Sequence, residues 1–188
     1  MTSCNVPIDE NAQAIDIDNL PESLRPGMAQ QATTNTEPPE TFINDHTVFL
    51  LTNPQDTEHT VVVEVKRQVP PNASLNSVLS TLFGKSTTPE EQARGFFNTL
   101  ELFEMNSVRI NDAIATVDIA PLSIEDTVPS ETLRLAAAQL VFTVSVWGVE
   151  KTRILLDGTE VSIPTSDADA EPGSELQIDA YEQFRPER

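Results

Sequence analysis

The sequence predicts an α+β domain: a single sandwich in which helices pack on one face of a mostly antiparallel sheet, with acidic flexible tails on either side. Three observations predict it. Short β-branched runs come in pairs, as hairpins do. The longest helical periodicity in the chain, from Leu133 to Trp147, sits between two such pairs. A continuous apolar run then meets Asp157-Gly158, a strong hairpin signal.

Residues 1–40 read as a linker, with Pro7, Pro21, Pro26, Pro38 and Pro39 and a patternless polar run from Gln30 to Thr36. Order is expected from about Thr41, giving a domain over 41–165 and an acidic tail over 166–188, in which Leu176, Ile178, Tyr181 and Phe184 form a candidate docked segment. The first strand is Thr47 to Leu51, stopped by Asn53-Pro54; the second is Thr60 to Arg67, stopped by Pro70-Pro71. Leu75, Val78, Leu79 and Leu82 form a helical stripe, with Gly84 as its C′ residue. Thr88-Pro89-Glu90-Glu91 starts a short second helix ending near Phe97. Thr88 is its cap, Pro89 its first residue and Glu91 the partner in a capping box, a device that contributes about 1 kcal/mol.

Val108 and Ile110, then Ala115, Val117 and Ile119, alternate with polar neighbours around a turn at Asn111-Asp112, a hairpin with one face buried. After a loop from Pro121 to Pro129, the residues Leu133, Ala136, Ala137, Leu140, Val141, Val144 and Trp147 share one helical face. The β-branched run Val141 to Val146 also suits a strand, but the unbroken 3.6 period decides for an amphipathic helix ended by Gly148. Ile154 to Leu156 is a strand, and Val161 and Ile163 form the strand returning from Asp157-Gly158.

The formal net charge is −19. Residues 1–40 contribute −6 and residues 166–188 contribute −5, so the tails hold more than half of the excess. There is no basic stripe to displace nucleic-acid counterions, which argues against a nucleic-acid partner. No run approaches the roughly 20 apolar residues that span a bilayer, and residues 1–30 lack the basic and apolar regions of a signal peptide. Cys4 is the single cysteine, so neither an internal disulfide nor a cysteine-based metal cluster can form.

Several of these segments resemble the GerMN domain of bacterial sporulation and germination proteins, over about Thr47 to Pro164. The resemblance rests on Val69-Pro70, the Leu75, Leu79, Leu82 and Gly84 spacing, and Ala115-Thr116-Val117-Asp118. It rests most on Gln139-Leu140-Val141-Phe142-Thr143, Gly148-Val149 and Arg153-Ile154-Leu155-Leu156-Asp157-Gly158. These are fold motifs. They imply a non-enzymatic extracytoplasmic module for binding or assembly, with an envelope protein or a second copy as partner. Cys4-Asn5-Val6-Pro7 resembles the mature start of actinobacterial GerMN lipoproteins, which implies lipidation of Cys4 and attachment to the membrane. Because three residues precede Cys4, that reading requires translation to start upstream of Met1; otherwise Cys4 is an ordinary thiol and the protein cytoplasmic.

No catalytic, metal or cofactor site is expected. His46 and His59 lack convergent partners at ligand spacing, and the six glycines are scattered rather than grouped in a phosphate loop. Asp118 is expected to accept hydrogen bonds from the Pro121 loop and Asp157 to form a turn. Arg153 is expected on a solvated or acid-paired face, Glu90 and Glu91 in a first helical turn, and Trp147 in packing. Two other classes are a small-ligand receptor, which needs a sizeable pocket, and a hydrolase, which needs convergent carboxylates.

Overall fold

The computed structural model describes residues 44–55, 59–123 and 128–185. Strands β1 (Asn44–Thr52) and β2 (Val61–Val69) form an antiparallel pair with Val48 opposite Val65. Two short helices follow. In α1 (Leu75–Ser80), Ser74 caps the N-terminus and Leu75, Val78 and Leu79 turn inward. In α2 (Pro89–Ala93), Thr88 and Glu91 make the expected reciprocal capping box. This helix stops earlier than its sequence suggests, because Gly95 takes a φ of +79°. Phe96 and Phe97 then form β3 (Phe96–Phe97), which pairs with the end of β1 at Leu51 and Thr52.

A 3-10 turn, Thr99–Leu102, leads into β4 (Phe103–Asn111) and β5 (Ile114–Pro121), antiparallel with a bulge between Met105 and Ser107. Asp112 and Ala113 take φ values of +49° and +63°, so the turn lies one residue later than Asn111-Asp112. The long helix α3 (Ser130–Val146) crosses over to β6 (Lys151–Leu156), which runs parallel to β5. Asp157 and Gly158 turn the chain into β7 (Thr159–Glu160). Ile163 belongs not to that returning strand but to β8 (Ile163–Pro164), paired with β9 (Asp169–Ala170).

The α+β class and the mostly antiparallel pairing are those expected. The pairing falls into sheets ordered β2-β1-β3, β4-β5-β6-β7 and β8-β9. The helix α3 is not amphipathic along its middle. The stripe read from the sequence is buried from Leu133 to Val144, but so are Ala138, Gln139, Phe142 and Thr143 on the other side. The reason is tertiary: α3 touches β1, β6, β8 and both 3-10 segments, so its second face also finds cover. Ile110, expected in the core, is 46% exposed; β4 is an edge strand, and no other strand among the described residues lies beyond it. The C-terminal residues are docked. Leu176 bridges to Thr152 of β6, and a 3-10 segment, Ile178–Phe184, buries Tyr181 and Phe184 in the same core. No helix among the described residues is long and apolar enough to cross a membrane.

Candidate binding surface

Among the described residues, the buried side chains of Glu91, Asn98, Thr99, Gln139 and Thr143 hold the fold together through hydrogen bonds, while Arg134 Nε and Ser166 Oγ are buried without a hydrogen-bond partner. Gln139, fully buried on α3, accepts from the Thr99 backbone and hydroxyl at 2.9 Å each, and donates to the Phe49 carbonyl and Asn98 Oδ1 at 3.0 Å each. Asn98 in turn donates to the Leu82 carbonyl and the Ser86 hydroxyl. Thr143, one turn along α3, accepts from the Phe49 N–H at 3.1 Å. Since β3 pairs with β1 only at Leu51 and Thr52, these α3 side chains take the place of a strand further along that edge.

The ion pairs are structural as well. Arg67 forms a two-point contact with Glu91, Nη2 to Oε2 at 2.9 Å, and also donates to the Ser86 carbonyl at 3.2 Å. Burial pushes the Glu91 carboxyl up, but hydrogen bonds from Arg67 and Thr88, with the Arg67 charge, outweigh it and hold the group below its ordinary value. Lys151 and Arg153 both pair with Glu175, and Arg153 donates to the Gly173 carbonyl, pinning the C-terminal segment to β6.

The residues singled out from sequence disperse. His46 packs against Trp147 with ring centroids 5.2 Å apart, whereas His59 lines a separate cleft. Residues 124–127 of the Pro121 loop lie outside the described residues, and Asp118 accepts from the Gly158 N–H at 2.8 Å. The parallel β5–β6 pairing brings this turn alongside Asp118, a contact that requires knowing the crossover. Cys4 lies outside the described residues. Among the described residues no group of three or more His, Cys, Asp or Glu is placed to hold a metal.

Among the described residues, two surface features stand out. One is a polar cleft of about 350 Å³ lined by His59, Thr60, Glu131, Arg134, Gln183 and Phe184, with the Arg134 guanidinium 5.7 Å from the Phe184 ring centre. The other is an apolar trough. Its first part, about 330 Å³, runs between Leu102, Pro121, Val128 and Pro129; its second, about 350 Å³, between Phe83 and Met105. Phe103 and Leu122 line both parts. Leu102 and Leu122 stand 56% and 57% exposed on its rim, and the Leu122 N–H bonds the Leu102 carbonyl at 2.9 Å. The sequence gives little sign of this trough, because its residues come from turns and strand ends without periodicity.

A family model described as Germane: Sporulation and spore germination matches residues 47–162. The chain belongs to the Germane family. The match spans β1 to β7, with the α3 edge contact inside it; Ile163, Leu176, Tyr181 and Phe184 complete the core from beyond it. The Germane fold here is similar to the tandem GerMN domains of the sporulation protein GerM from Bacillus subtilis. That likeness has a TM-score of 0.52 and 13% identity, over 77% of this chain and 48% of that one. This chain thus spans about half the length of the tandem structure. The first GerMN domain of the same protein gives a TM-score of 0.46 at 16% identity, over 72% of this chain and 98% of that one. A Clostridium perfringens protein described as a candidate lipoprotein gives 0.42 at 10% identity, over 77% and 93%. A comparison with curated proteins finds no match.

Proposed function

We propose that this protein is a non-enzymatic extracytoplasmic envelope protein whose Germane domain is a binding or assembly module, held at the membrane by a lipid on Cys4. The observation that carries the reading is the exposed apolar trough around Leu102 and Leu122. An apolar rim of this kind is what a protein-binding surface requires and costs solubility otherwise. The Cys4-Asn5-Val6-Pro7 start supplies the tether.

The test is expression of the gene with its native upstream DNA in a host that processes lipoproteins, followed by detergent phase partition. The wild-type protein is expected in the detergent phase and Cys4→Ala in the aqueous phase. Equal aqueous partition of both would remove the lipid anchor from the reading. A small-ligand receptor is the second reading, favoured by the cleft at Arg134. It predicts a rise in Tm with a small carboxylate ligand that Arg134→Met abolishes.

A further inference from the structure

The trough has a chemistry of its own. Its floor is Phe103, Met105 and Phe83 and its rim Leu102 and Leu122, while its charged lining residues are Glu101 and Glu104, with no Lys or Arg. Two bases lie nearby: Lys85 follows Gly84 at one end, and Arg134, beyond Thr132, is paired with Glu131. The result is an apolar floor with an acidic margin on a chain of net charge −19. The trough also runs along Phe103, Glu104 and Met105 of β4, whose outer edge pairs with no other strand among the described residues.

We propose that this trough docks an extended segment of another protein in which apolar side chains alternate with Lys or Arg. The inference rests on reading the domain as a binding module, and it names the partner's chemistry. A strand laid on an open edge turns alternate side chains to opposite sides. One set then meets the apolar floor and the other the acidic margin. Charge argues against the two other occupants. A second copy brings −19 against −19, and residues 1–40 of this chain carry −6.

The probe is a short fluorescent peptide alternating Leu and Lys, titrated into the full chain by anisotropy, beside the same peptide with Glu for Lys. The Lys peptide is expected to bind, more weakly as salt rises, and the Glu peptide to bind at least about tenfold more weakly. Leu122→Asp and Leu102→Asp separate docking from general attraction to an acidic protein. Each adds negative charge while removing apolar surface. Both residues are more than half exposed, so both variants should keep the wild-type urea midpoint; Leu122→Ser and Leu102→Ser serve if either does not.

Docking predicts that each trough variant weakens binding about tenfold, while Val146→Asp, at an exposed position on α3, leaves it unchanged. Unchanged or tighter binding by the trough variants would overturn the proposal. So would a dimer, seen by sedimentation equilibrium, that tightens with salt and is lost in Leu122→Asp, since the occupant would then be a second copy. Neither outcome depends on whether Cys4 carries a lipid.

Discussion

Gln139 of α3 holds the carbonyl of Phe49 in β1 at 3.0 Å, across 90 residues of sequence. The same side chain satisfies Thr99, and its neighbour Thr143 holds the Phe49 N–H. Replacing Gln139 with Leu keeps the volume but leaves the Phe49 carbonyl and the Thr99 N–H buried without partners. Each such group costs about 1–3 kcal/mol, so Gln139→Leu should lower the unfolding free energy by about 3 kcal/mol in urea titration. A loss below about 1 kcal/mol would mean that water enters and replaces the amide.

Glu91 links stability to acid. Its folded value lies below the ordinary carboxylate value, so its ionised form is favoured by folding. The contribution is fully present above the unfolded value, near 4.5, and is lost as pH falls through the folded one. The urea midpoint of the wild type should therefore fall below pH 4.5 more steeply than that of Glu91→Gln. Arg67→Met, which removes the charged partner of the buried carboxylate, should cost about 2–3 kcal/mol at neutral pH. Parallel midpoint curves for wild type and Glu91→Gln would count against the pairing.

Tyr181 is the single tyrosine of the chain, fully buried, and its hydroxyl donates to the Pro164 carbonyl at 3.2 Å. Burial raises its ionisation well above the ordinary value of 10. Stability from this group is present below about pH 10 and lost as pH climbs above it. Ultraviolet titration thus reads one site: ionisation should be delayed past the ordinary range and coincide with unfolding. Tyr181→Ala should cost about 3–5 kcal/mol.

Ala113 sits at a φ of +63° in the β4–β5 turn, where a Cβ is unfavourable. Ala113→Gly should raise the unfolding free energy by about 0.5–1 kcal/mol, and Ala113→Val should lower it by a similar amount. Thermal melts of the pair would settle the sign.

What could be read from sequence was local. The Thr88–Glu91 box closes over three residues and the Asp157-Gly158 turn over two, so their signals survive without tertiary knowledge. The 3.6 period gave α3 its existence and inner face. It could not give the second face, because Gln139 and Thr143 look like solvent-facing residues until β1 and the C-terminal segment are placed beside them. Asp118 found its partner 40 residues away for the same reason. The trough was least legible, since Leu102 and Leu122 come from unpatterned segments that meet only in three dimensions.

Phe184 and Tyr181 are also among the last residues of the domain to leave the ribosome. The central helix cannot be walled in until they arrive, because they cover it from outside the family's matched span. A domain cut at the end of the family's matched span would therefore leave one side of α3 uncovered, and is expected to be less stable than one that carries Tyr181 and Phe184.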